Sequence, residues 1–349
     1  MKTTLPTVFL RLSTLLCFIL LLCFPSQTLE GASIGLLLWF QTILPALLPV
    51  MILADFMLRI GGDRYVTRLV AGPLSLIFGL SKNGCYGALI GLLCGYPMGA
   101  KTTASLLKEN RISRQEANYL LAFSNQPSAM FLIGYICLGL FADYDGNTLV
   151  LPLLFGVYGS AILISILYRG IETMHHVLGN SWQENLTTES TPNNSSVIRN
   201  IRPNIKSDIK ILPTTPSTHN KSADSSPLSL LESSMMTSFE VMVKIGGYMM
   251  LFSIAEVHIG RLPLMNAAAK SILMGLIEMT TGCRHVATVI QLPWALALCG
   301  AVTTFGGLSG LAQTSHVLQG SDLSIGRYVL WKLLQGILAG ILILLCCYP

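Results

Sequence analysis

Apolar runs of membrane-crossing length alternate with short polar breaks along most of this chain, and several of the runs are interrupted near their centres. The first such interruption is Gly91-Leu-Leu-Cys-Gly-Tyr-Pro-Met-Gly-Ala-Lys101. Its left arm, Cys85 to Cys94, carries no charge. Its right arm, Thr102 to Leu107, leads into Lys108-Glu109-Asn110-Arg111, a boundary with water. A helix needs about 20 residues to cross a bilayer, so two arms of roughly 10 predict a hairpin that enters and leaves by one face, with Gly95-Tyr96-Pro97 at its tip. Backbone groups freed at such a tip cannot face lipid and must face protein, a wet cavity or a substrate.

The other runs fall into order around it. Val8 to Phe24, next to Lys2 and Arg11 and with no small-x-small cleavage pattern after it, predicts a transmembrane helix within residues 1–30 and not a signal peptide. Ile34 to Leu58 predicts a second span, kinked at Pro45 and Pro49, that exits at Arg59, Arg64 and Arg68. Positive charge puts that exit and the amino terminus in the cytoplasm. A short amphipathic connection, Val70 to Leu80, precedes the hairpin. Ala117 to Phe141 predicts a crossing interrupted at Ser124-Asn-Gln-Pro-Ser128, where polar side chains at membrane depth are costly and point to function. Leu149 to Leu167 returns to Arg169. Residues 172–233 turn to Ser, Thr, Asn and Pro and predict a disordered cytoplasmic linker. Its sequons at Asn185 and Asn193 then carry no glycan, and His175-His176, with no further ligand at metal spacing, make no metal site.

After the linker the order repeats. Phe239 to Val257 crosses, and Ala267 to Ile290 breaks at Glu278-Met-Thr-Thr-Gly282, which predicts a second hairpin entering from outside. Trp294 to His316 is interrupted over Phe305-Gly-Gly-Leu-Ser-Gly-Leu-Ala-Gln313, and Ile325 to Cys347 is the last span. Crossing, hairpin, broken crossing, crossing thus occurs twice, in opposite orientations. The expected fold class is an all-α integral membrane protein, an inverted-repeat transporter with two re-entrant hairpins and two broken helices, its first repeat over residues 31–171 and its second over 234–349. Discontinuous helices in that plan meet near the midplane and form the substrate site.

Composition supports a polytopic membrane protein: of 349 residues 52% are hydrophobic and only 11% charged, with a mean hydropathy of +0.62. The net charge of +5 is spread out and suits membrane orientation, not nucleic acid. No phosphate-binding Gly-Lys-Ser loop is present. Nine cysteines, with no Cys-x-x-Cys pair, read as small buried hydrophobes.

Four motifs carry a resemblance. Gly95-Tyr-Pro-Met-Gly-Ala-Lys101, Phe123-Ser-Asn125 with Ser128 and Phe131, Glu278-Met-Thr280 with Gly282, and Phe305-Gly-Gly-Leu-Ser309 with Gln313 together resemble the YlbJ (SpoVV) family of sporulation integral membrane proteins, in the nucleoside-recognition or Gate-domain group. The match runs over nearly the whole chain outside the linker and the extreme amino terminus. The resemblance implies a plan similar to that of concentrative nucleoside transporters. It further implies transport of dipicolinic acid from the mother cell toward the developing spore, in the mother-cell-derived forespore membrane.

Dipicolinate is a planar aromatic dianion, so its site needs donors and positive potential. Half-helix N-termini supply about half a positive charge each and several unpaired N–H groups. The residues expected to bind are Gly95, Tyr96 and Pro97 at the first tip, Ser124, Asn125, Gln126 and Ser128 at the first break, Glu278 and Thr280 at the second tip, and Gly307, Ser309 and Gln313 at the second break. Lys101, the one cation beside a break, is the expected counter-charge, against a plain snorkelling role. The uncharged donors also suit helix–helix hydrogen bonding. Glu278 either takes a coupling proton or cation or caps the half-helix that follows it, and Tyr96 either stacks on the ligand or packs. No catalytic residue, metal or cofactor is expected, because no His or Asp stands at membrane depth to activate Ser124 or Ser309. A nucleoside or other small metabolite is the nearest rival cargo; an assembly protein whose hairpins only pack against a partner is a rival of another class. Coupling ion, direction of transport and homo-oligomerisation stay open at this level.

Overall fold

Every regular element in the computed structural model is a helix, among the residues it describes, which are 5–187, 226–261, 265–321 and 323–347. Most of the linker, including Asn193, lies outside the described residues, as do the side chains of His175, His176 and Asn185. The chain divides into two compact units, Met1–Ser165 with Ser226–Pro349, and Ile166–Ser225. The described part of the second unit is helical to Thr187, with the Thr173 hydroxyl donating to the Arg169 carbonyl at 2.9 Å.

In the larger unit, α1 (Leu5–Cys23) is followed by α2 (Pro25–Leu38), a π-helical turn Trp39–Ile43, and α3 (Leu44–Arg59). These last three form one run of 35 residues from Pro25 to Arg59. The second span therefore begins at Pro25 and not at Ile34, since proline at the first helical position gives up only an N–H that would be unpaired anyway. The π turn sits where Pro45 interrupts the hydrogen-bond ladder, and the Leu44 N–H reaches back to Trp39 O instead. Helix α4 (Asp63–Phe78) ends at Gly79, whose φ of +66 turns the chain, and α5 (Lys82–Leu93) leaves at 89° to it. Ser81 caps α5 by accepting from Gly84 N at 3.0 Å.

Next, α6 (Met98–Lys108) folds back antiparallel on α5, with Gly99 against Gly91 and Leu106 against Gly87. Helix α7 (Arg114–Phe123) stops at Ser124; after extended residues 125–128 the chain resumes as a π-helix, Phe131–Leu140, and then α8 (Gly146–Thr187). Helix α8 runs past Glu172, the expected start of the linker, and α9 (Pro227–Gly260) starts ahead of the linker's expected end at residue 233. The second set follows as α10 (Ala267–Ile277), α11 (Met279–Val289), α12 (Trp294–Phe305), α13 (Gly307–Val317) and α14 (Ile325–Cys347). Five of the described helical runs are long and apolar enough to cross a membrane, or six if the bent pair α4 and α5 counts as one span.

Small residues set how closely these helices approach. On α2, Gly31 and Gly35 stand one turn apart against α9, where a Cβ would come within 2.5 Å of Ile254 Cα and 2.8 Å of Met250 Cα. The same face is fixed by Trp39, whose indole N–H donates to Met242 O at 2.9 Å. Helices α12 and α14 approach likewise, with Gly336 against the Ala301 carbonyl. Without a water-driven hydrophobic effect between helices in lipid, such close packing is what holds them together. Large apolar side chains such as Leu53, Leu151, Leu251 and Leu330 are left exposed on the outside, as a lipid-facing surface requires.

Candidate substrate site

The two hairpin tips and the two helix breaks come together. At the first tip Gly95 has φ +83, the Tyr96–Pro97 peptide is cis, and α6 starts at Met98. The tip touches both breaks. A Cβ on Gly95 would lie 3.0 Å from Ser128 N, and the Tyr96 hydroxyl donates to the Thr304 carbonyl on α12. Gly306, with φ +90, stands 3.2 Å from the Tyr96 ring at its Cβ position, so a side chain there would meet both strain and a ring.

The first break is tied down through its backbone and through Asn125. Gln126 N donates to Gly91 O at 3.3 Å, and Ser128 Oγ accepts from Phe131 N at 3.2 Å. Asn125 Oδ1 accepts from Ala100 N at 3.3 Å, while its Nδ2 donates to Tyr328 OH at 2.7 Å and Thr314 Oγ1 at 3.2 Å. One amide thus links the break to α6, α13 and α14. Replacing Asn125 by Ala leaves a buried N–H and a buried phenol short of a partner, and is expected to destabilise the protein by about 2–4 kcal/mol. Ser124→Ala, whose Oγ is buried without a partner, is the matched control with little expected change. Equal thermal midpoints for the two variants after solubilisation would remove Asn125 from this role.

At the second tip the break is a single residue. Glu278 is extended, and its carboxylate accepts from Thr280 N at 2.9 Å and Thr281 N at 2.8 Å, capping α11. Of the two roles open from sequence, the cap is the one realised in these contacts. The Thr281 hydroxyl also reaches Glu278, at 3.1 Å, and the carboxylate of Glu256 on α9, which is itself 2% exposed. Gly307, at φ +62, brings the second break against the Gly275 and Ile277 carbonyls of α10.

Between these pieces lies a closed cavity of about 30 Å³. Gly95 and Tyr96 from the first tip, Ser128 from the first break, Glu278 and Thr280 from the second tip, and Gln313 from α13 line it. Ile43, Ala46 and Leu47 beside the π turn and Ile245 and Met249 of α9 close it. That space holds about two waters. A second cavity of about 210 Å³ shares Ile245 and Gln313 with the first and is lined by Pro97, Lys101, Glu240, Lys244, Tyr248 and His316.

The expected site residues divide accordingly. Gly95, Tyr96, Ser128, Glu278, Thr280 and Gln313 line the closed cavity; Pro97 and Lys101 line the larger one. Lys101 Nζ is buried there without a hydrogen-bond partner. Ser124, Asn125, Gln126, Gly307 and Ser309 line neither: Gln126 Nε2 donates to Phe123 O, Ser309 Oγ accepts from Gln313 Nε2, and the others join helices as described. Sequence reasoning passes over Lys332, which is fully buried on α14. Its signal is a charged residue inside an apolar run, but it lies far along the chain from the breaks that mark the rest of the site.

No protein-family model matches the chain, and no solved structure does. The sporulation integral membrane protein YlbJ of Bacillus subtilis (strain 168) is 26% identical to it, over 93% of this chain and 79% of the relative. The resemblance read from the tip and break motifs therefore extends over most of both chains, and this protein is a relative of the sporulation integral membrane protein YlbJ.

Proposed function

We propose that the protein is a membrane carrier for a small organic anion, dipicolinate, moved from the mother cell toward the developing spore. The observation that carries this reading is the convergence of both tips and both breaks on one cavity. An assembly protein has no use for four non-helical elements gathered at one depth. In this reading the two sets of hairpin, broken helix and span are inverted repeats, and the closed cavity is the midplane site. The relative's part in sporulation supports the cargo.

The larger cavity is the antechamber. Along α9 it is lined from Thr237 to Tyr248, and the closed cavity from Ile245 to Met249, so the antechamber lies toward the Pro227 end. That end carries Arg59, and α6 leaves the antechamber toward Lys108 and Arg111, the cytoplasmic charges. Lys101 and Lys244 give it cations for a dianion. The closed cavity is too small for a pyridine ring, so loading requires the tips to separate.

The test is uptake of radiolabelled dipicolinate into proteoliposomes holding the full chain. Saturable uptake, displaced by unlabelled dipicolinate and not by uridine, is the expected result. Lys101→Ala is expected to raise the half-saturating concentration about tenfold, the loss of one charge-assisted contact. Uridine uptake in place of dipicolinate would reassign the cargo, and no uptake of either would sink the reading.

A further inference from the structure

Lys332 is 0% exposed and, among the described residues, pairs with no carboxylate. Its Nζ donates to the Asn125 carbonyl at 2.9 Å and to Gln335 Oε1 at 3.0 Å, and stands 5.3 Å from the centroid of the Tyr96 ring. These are the ligands a small monovalent cation takes: a carbonyl freed by a helix break just past the negative end of α7, an amide oxygen, and an aromatic face. They also join the two moving parts, since Asn125 belongs to the first break and Tyr96 to the first tip. A lysine used only for anchoring would be expected to find a carboxylate, because a lone buried charge is costly.

We propose that Lys332 is the carrier's built-in coupling cation: its ammonium occupies a monovalent-cation site between the first tip and the first break, and the ion exchanged with water is the proton on Nζ. The inference rests on the carrier reading for its role in transport, but not for the site itself. With the proton on, the ammonium holds Tyr96 and Asn125 together. When the tip separates and water reaches Nζ, the proton leaves to water, the amine keeps its lone pair, and the tip loses its tie. The titratable groups on the elements packed around it are Tyr96 at the tip, Tyr328 on α14 itself, Tyr119 with Arg114 and Glu116 on α7, and Cys299 on α12. Tyr328 and Tyr119 are committed to Asn125 and to the Phe78 carbonyl and Ser165, respectively, and the Cys299 thiol lies against the Cys283 carbonyl.

The site is tested without transport by rebuilding the side chain. Lys332→Ala removes the equivalent of n-propylamine. The purified full-length variant is heated with n-propylammonium chloride or with n-propanol at equal concentration. The expected result is a midpoint raised by roughly 3 °C or more by propylammonium alone, with wild type unmoved. Equal shifts from amine and alcohol would mean a filled void, and no shift from either would mean no cation site; both overturn the proposal. Transport gives the second measurement and covers an Ala variant that fails to accumulate. Wild-type uptake should follow an imposed pH gradient and ignore sodium, while uptake by Lys332→Met, which keeps the aliphatic stem, should ignore the pH gradient. Sodium-driven wild-type uptake, or a Met variant still driven by the gradient, overturns the proposal. A wild type that transports nothing fails the carrier reading alone, and the amine comparison still decides the site.

Discussion

Gly282→Ala is expected to destabilise the protein by about 3 kcal/mol, as severe a loss as any single methyl group can cause in this fold. The added Cβ would fall 2.1 Å from Gly275 Cα and 2.3 Å from Gly275 N. Those are main-chain atoms and cannot rotate away. Separating α11 from α10 does not relieve the contact cheaply, because a Cβ at Gly275 already stands 3.0 Å from Val302 on α12, so α10 has nothing to retreat into. The tip that carries Glu278 would open with it. The thermal midpoint of the solubilised protein should fall by roughly 5 °C or more. Gly310→Ala is the control, since a Cβ there meets nothing within 4 Å and an alanine favours the helix. If both variants melt with the parent, the close approach of α10 and α11 is wrong.

Glu278→Ala is expected to abolish uptake, with a fall of at least about tenfold, and to lower stability by about 2 kcal/mol. Two buried N–H groups, of Thr280 and Thr281, lose their acceptor, and the wall of the closed cavity loses the group that holds Thr280 in place. Glu278→Gln keeps an oxygen at the same place and should recover stability and most of the uptake, since an amide oxygen caps a helix as a carboxylate does. A Gln variant that melts like wild type yet transports nothing would show that the charge itself serves the cycle, and the cap assignment would then be insufficient.

Much of the element order is legible because breaks in apolar runs are chemically loud. Glycine, proline and amide side chains clustered in a membrane-length segment are hard to accommodate anywhere but at a tip or a break, and α14 begins and ends at Ile325 and Cys347 as hydropathy predicts. The details that escape are those where local chemistry is ambiguous. Pro25 reads equally as the end of one helix or the first residue of the next. The stretch from Glu278 to Gly282 reads as a wide tip, yet once Glu278 supplies its cap the following residues are all content in a helix, so the break shrinks to one residue. Within the site, sequence identifies the right segments but not which side chains face the cavity. A break has no periodicity from which to read direction, and Asn125 and Ser128, three residues apart, serve different neighbours. Lys332 is hidden by the opposite effect, since its surroundings on α14 are regular and apolar.

The closest joints in the site are made main chain to main chain: Gly91 against the Ser124 carbonyl, Gly282 against Gly275, Gly307 against Ile277. Among the side chains facing the closed cavity, Met279, Thr280 and Gln313 make no side-chain hydrogen bond to another helix among the contacts described. Scaffold and selectivity are therefore inherited separately. A lineage can exchange these three positions and change what it carries while every glycine joint stays fitted, and a directed-evolution library restricted to them would search cargo without searching the fold.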